Sequence, residues 1–126
     1  MPLVKIYAPK RSKSARELRK ISDGVQEALV AHANVPPNSR FYLFIRLERD
    51  EIVADPSYGG VTRSKNLVVI EITLNAGRTV EVKKALYAGI ASRLEGLGVK
   101  PDDVIISLIE VTKENWSFGG GRATYA

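Results

Sequence analysis

The sequence predicts an α+β fold: a tandem β-α-β repeat whose four strands make one sheet with two helices on one face. Three observations predict it. The chain falls into step with itself when shifted by 64 positions, with no gap. Each half passes from a short apolar run to helical spacing and back to an apolar run. And 126 residues suit one domain that buries a core without staples. We expect a single domain over 1–126, made of halves 1–62 and 63–126.

In the shifted register Leu3, Val4 and Ile6 meet Leu67, Val68 and Ile70. Val35 and Pro37 meet Val99 and Pro101, and Phe41, Phe44, Ile45 and Leu47 meet Ile105, Leu108, Ile109 and Val111. The match is in chemical type more than identity, as in an old duplication. Taken in order, Leu3 to Ala8 reads as the first strand. Ser14 to Ala33 turns helical, with Leu18, Ile21, Val25, Ala28 and Leu29 along one face. Ser14 and Glu17 fit a capping box, and Val35-Pro36-Pro37-Asn38 stops the helix, because proline disfavours helical geometry in its predecessor. Phe41 to Leu47 is a strand, and so is Leu67 to Leu74. Thr79 caps a second helix to about Leu94, with Val82, Leu86, Ile90 and Leu94 inward. Gly96 and Gly98 end it, and Asp103 to Val111 is the last strand.

A β-α-β unit joins parallel strands. With both helices on one face, the apolar run of Val68, Val69, Ile70, Ile105, Ile106 and Leu108 leaves the second face wanting a cover. A further copy of the chain is the expected cover, so a homo-oligomer is expected. Each half closes alike, in Ser57-Tyr58-Gly59-Gly60 and Ser117-Phe118-Gly119-Gly120-Gly121. An aromatic before glycines reads as a tight turn, or as a loop holding a ring over a pocket.

Composition narrows the partners. The chain has no cysteine and one histidine, which excludes disulfides, thiolate metal sites and multi-histidine metal sites. No apolar run nears the ~20 residues that span a bilayer, and the basic start carries no signal-peptide pattern. A cytoplasmic protein without membrane contact is expected. The formal net charge is +5. The basic run from Lys10 to Lys20 carries no aromatic residue, so small anions are favoured over nucleic acid.

Pro2 directly follows the start methionine. Trimming of Met1 would leave a secondary amine at the head of the first strand. Together with the two β-α-β halves, the Gly77-Arg78-Thr79 turn and the tail Asn115-Trp116-Ser117-Phe118-Gly119-Gly120-Gly121-Arg122-Ala123, this resembles the tautomerase superfamily of 4-oxalocrotonate tautomerase type. The tail and Val99-Lys100-Pro101-Asp102-Asp103-Val104-Ile105 look most like the malonate semialdehyde decarboxylase group. The resemblance implies a trimer, a small anionic carboxylate substrate, no metal and no organic cofactor.

It also implies roles. Pro2 is the general base and acid. An α-amine titrates near ~8 in reference peptides, whereas a base serving at neutral pH needs a value near ~7. Apolar burial and nearby cations both lower it. Arg78 matches the family arginine and would hold the substrate carboxylate by paired hydrogen bonds. An arginine just before a helix start, where anions are preferred, points the same way. Trp116 and Phe118 would wall the pocket, with Ser39 and Arg122 touching substrate; Arg40 is a further candidate cation, and Tyr125 a hydrogen-bond donor. His32 reads as a helix-end cap. Arg11 and Lys13 sit one position off the arginine that follows strand one in related enzymes. Two positions depart from the decarboxylase group: Ser39 stands where that group has aspartate, and Ala76 where it has a second arginine. The expected reaction is therefore keto–enol isomerisation of a small 2-oxo acid. The alternatives are a decarboxylase or hydratase on 3-oxo or unsaturated acids, and a non-enzymatic oligomeric binding protein.

Overall fold

Strict alternation marks out the central strands. In β1 (Leu3–Pro9) the residues Val4, Ile6 and Ala8 are buried, and in β3 (Val68–Asn75) so are Val68, Ile70, Ile72 and Leu74. The computed structural model describes all of residues 1–126. β1 and β3 pair antiparallel, while β2 (Tyr42–Leu47) adds parallel to β1 and β4 (Val104–Val111) parallel to β3, giving the order β2-β1-β3-β4. The predicted strands are all present, each within a residue of its expected limits.

Helices α1 (Ala15–Ala33) and α2 (Val80–Glu95) lie together on one face of this sheet, and one core cluster joins them to β1 and β3. The α1 face expected from spacing, from Leu18 to Leu29, is buried throughout. Of the expected α2 face, Leu86, Ile90 and Leu94 are buried and Val82 only partly. The helices approach closely at Gly89, where a Cβ would come within 2.6 Å of the His32 ring.

The capping box forms as read. Ser14 Oγ accepts the Glu17 N–H at 3.1 Å, and Glu17 Oε1 accepts the Ser14 N–H at 3.0 Å. Ser14→Ala is expected to cost about 1 kcal/mol, read as a lower urea midpoint with an unchanged slope. The other end of α1 differs from expectation. The helix stops at Asn34, which takes the left-handed conformation (φ 57°) before the proline pair is reached. Asparagine tolerates that geometry better than other side chains. At the end of α2 it is Gly98 that adopts positive φ (88°), letting the Val99 N–H reach back to the Leu94 carbonyl at 3.0 Å.

The second sheet face is not the continuous apolar surface expected. Val68, Ile70, Ile106 and Leu108 turn toward the helices. The opposite face alternates with them and is mixed, with Tyr7 donating a short hydrogen bond to Glu71 beside Val69, Ile105 and Ile109. Leu43 and Ile109 are the large apolar side chains it leaves most exposed. Tyr58 is 79% exposed and packs over nothing, so the first aromatic-glycine stretch is a turn only. No helix is long and apolar enough to cross a membrane.

Candidate active site

Antiparallel pairing brings the start of β1 beside the end of β3. Leu3 faces Thr73, so the buried Pro2 adjoins Leu74 and the Asn75 turn. Met1 continues the chain outward, and its α-amine donates a short hydrogen bond to Ser39 Oγ. Burial holds that amine below its ordinary pKa. While Met1 is attached, the Pro2 nitrogen is an amide and has no basic lone pair.

Ser39 is held by a buried glutamine. Gln26 Nε2 donates to the Ser39 carbonyl at 3.1 Å and, at 3.4 Å, to that of Pro37. Its Oε1 accepts the Tyr42 hydroxyl at 2.8 Å, and burial raises the Tyr42 pKa. Sequence reading found Ser39 but not this support.

Arg78 follows β3 through Ala76 and Gly77. Its Nε donates to the Ala33 carbonyl at 2.9 Å and its Nη1 to the Asn75 carbonyl at 3.1 Å, leaving Nη2 without a protein partner. The Ala33 contact answers the question raised by an arginine at a helix start. The guanidinium serves the C-terminal end of the neighbouring α1, where unpaired carbonyls attract cations. Its position therefore has a structural cause as well as an open donor. Glu110, opposite Leu74 on β4, is ion-paired to Lys83 at 2.9 Å, and Lys83 chiefly, with a smaller effect of Arg78, holds its carboxyl below the usual range.

The tail folds back to the same end. Trp116 Nε1 donates to Asn75 Oδ1 at 2.7 Å, and the indole stacks on Phe118 with centroids 5.0 Å apart. Phe118 also meets Phe41 at 5.5 Å and Tyr125 edge-on at 5.7 Å. Phe41 is tied to β1 by its carbonyl, which accepts the Val4 N–H at 2.9 Å. Phe118 stays 38% exposed, so this cluster is a wall rather than core.

Pro2, Ser39, Arg78, Trp116 and Phe118 thus gather at one end of the sheet. The remaining candidates do not join them. Arg122 is exposed, curls back on Gly120 and makes no hydrogen bond or ion pair with the others. Arg40 is paired to Asp23 at 2.5 Å and lies over the Tyr42 ring. His32 lies in the last turn of α1 against Gly89. Arg11 and Lys13 follow the far end of β1, about 20 Å away by strand rise. Two residues went unremarked as site members, Asn75 and Phe41. Asn75 binds both the indole and, through its carbonyl, the guanidinium; its place just before a glycine turn was the available signal.

Asn75→Ala is expected to free the indole N–H, costing about 1 kcal/mol. Trp116 is the only tryptophan, so its fluorescence reports the change directly. A shifted emission maximum and a KM raised about fivefold are expected, and an emission spectrum like that of the parent would show that Asn75 does not hold the ring.

A protein-family model described as tautomerase enzyme matches residues 39–119. The chain belongs to the tautomerase family. This tautomerase is 40% identical over 124 residues to probable tautomerase YusQ of Bacillus subtilis (strain 168), covering 98% of this chain and 97% of the relative. It is 31% identical to probable tautomerase YrdN of the same organism, over 86% of this chain and 84% of the relative. Among solved structures it is similar to FG41 malonate semialdehyde decarboxylase inhibited by 3-bromopropiolate, at 34% identity and TM-score 0.90, covering 98% and 93% of the two chains. The fold is shared with native fused 4-OT at 21% identity and TM-score 0.77, over 96% and 95% of the two chains.

Proposed function

We propose that this tautomerase isomerises a small 2-oxo acid between its enol and keto forms, through the amine of Pro2 after Met1 has been removed. Unprotonated, that nitrogen takes the enol hydroxyl proton. The resulting ammonium returns a proton to the carbon, so none is lost overall. Arg78 holds the substrate carboxylate, with Nη2 as its open donor, and Trp116 and Phe118 wall off water on one side. Ser39 Oγ, which now accepts from the Met1 amine, would orient the Pro2 nitrogen.

The observation that carries the reading is the meeting of the buried Pro2, an arginine with a donor to spare and an aromatic wall at one end of the sheet. The Pro2 ring is buried there, and burial of an amine freed at that position lowers its pKa, as a base near neutral pH requires. The direct test is ketonisation of phenylenolpyruvate or 2-hydroxymuconate, with intact mass recorded on the same sample. Absence of any rate above buffer in Met1-free protein would reject it.

Decarboxylation is the second reading, favoured by similarity to the FG41 enzyme and to a malonate semialdehyde decarboxylase solved in wild-type, proline-to-alanine mutant and inactivated forms, at 30% identity and TM-score 0.86. Ser39 and Ala76 speak against it, since neither supplies the acid or the cation expected there. Carbon dioxide release from malonate semialdehyde is expected to be slow beside the tautomerase rate. Assembly into a homotrimer belongs to the same proposal. Exposed Leu43 and Ile109 on the open sheet face support it, and sedimentation would read the mass.

A further inference from the structure

The far end of the sheet is the repeat's counterpart of the first, built from different residues, with Ser14 in the place of Arg78. Ile6 pairs with Ile70, its own counterpart in the 64-residue repeat, so an approximate twofold axis exchanges the two ends. The short 3-10 helix Arg49–Glu51 answers to Lys113–Asn115. After it, Ile52 and Ala54 stand where the other half has Trp116 and Phe118, and Asp103 stands for Ser39. Ser64, one position before Lys65, the counterpart of Met1, donates to Asp103 through its N–H and hydroxyl, both at 2.7 Å. Asn66 takes the place of Pro2.

A cleft of about 540 Å³ opens at this end, with Pro9, Ile52, Ala54 and Leu67 among its walls. Arg49, Arg63 and Lys65 line it, against Asp50 as the one carboxylate, and none of these three cations is ion-paired. Arg49 donates to the Lys65 carbonyl at 2.8 Å and to Asn66 Oδ1 at 3.0 Å, and Arg63 Nη1 to the Asp55 carbonyl at 2.9 Å. These acceptors are neutral, although the carboxylates of Asp55, near Arg63, and of Asp103, bonded to Ser64, lie close by. Arg63 Nε is buried with no partner at all, the one buried side-chain polar atom so left in the chain. An orphaned donor of this kind is costly unless something fills it.

We propose that this cleft is a second carboxylate-binding site, the amine-free counterpart of the first. The Arg63 and Arg49 guanidiniums take the carboxylate of a small organic acid, for which their geometry is suited, and the apolar wall takes its carbon skeleton. Asn66 offers no ionisable nitrogen, so the ligand is held without turnover. The proposal stands independently of the chemistry assigned to Pro2.

Benzoate titrated into nitrogen-15-labelled protein tests it. Two groups of amide shifts are expected, one around Trp116 and one around Ile52, Ala54 and Lys65. Arg63→Ala should weaken the second about tenfold or more and spare the first. Ala54→Leu, which fills the cleft and removes no charge, should do the same and guards against a misfolded Arg63 variant. Shifts confined to the Trp116 end overturn the proposal, as does unchanged cleft affinity in both variants. Failure of the tautomerase reading would appear elsewhere, as a rate indifferent to Pro2.

Discussion

Pro2→Ala is expected to lower kcat/KM for phenylenolpyruvate about a thousandfold, within the range that a positioned base supplies. The substitution keeps a small residue after Met1, so trimming still proceeds and an α-amine remains. What changes is its basicity and the rigidity of the ring, which is buried at this position. The pH profile gives a second reading of the same group. A base acts unprotonated, so kcat/KM should rise with pH through the amine's pKa and level off above it. Burial disfavours the charged form, as it does for the Met1 amine, so the inflection should fall below the ~8 of an ordinary α-amine. Two results would sink the assignment. One is full activity in material whose mass still includes Met1. The other is an equal rate in Pro2→Ala, which would put the chemistry on another group.

The residues differ in how far their sequence announced them. The strands and helices were legible because burial follows short-range periodicity, period two in β1 and β3 and helical in α1. The second sheet face was misread for the same reason. Val68-Val69-Ile70 and Ile105-Ile106 look continuous, yet alternate residues turn to opposite sides, and Glu71, Ser107 and Lys5 share the outer face with the apolar ones. Arg78 was found, but its bond to the Ala33 carbonyl spans 45 positions and has no local signature. Asn75 was missed because its indole partner lies 41 positions on. The aromatic stretch at Tyr58 misled because it sits four positions out of the repeat register; the true counterparts of Trp116 and Phe118 are the aliphatic Ile52 and Ala54.

Arg78→Ala is expected to cost about a hundredfold in kcat/KM, carried mainly by KM, as charge-assisted hydrogen bonding to a carboxylate is lost. The same change removes the donors to the Ala33 and Asn75 carbonyls, so stability should also fall, by about 1–3 kcal/mol. A rate loss alone therefore does not distinguish a clamp from a brace. A substrate without the carboxylate does. For the enol of phenylacetaldehyde the clamp has nothing to hold, and the parent should itself be slow. There Arg78→Ala should lower the rate little beyond what loosening of the turn accounts for. Arg78→Lys separates charge from geometry: an ammonium attracts the anion but lacks the planar fork of donors that reaches both carbonyls and the substrate, so about a tenfold loss is expected. Equal losses on the acid and on the aldehyde would mean that Arg78 only ties α1 to the end of β3, and the carboxylate would need another partner.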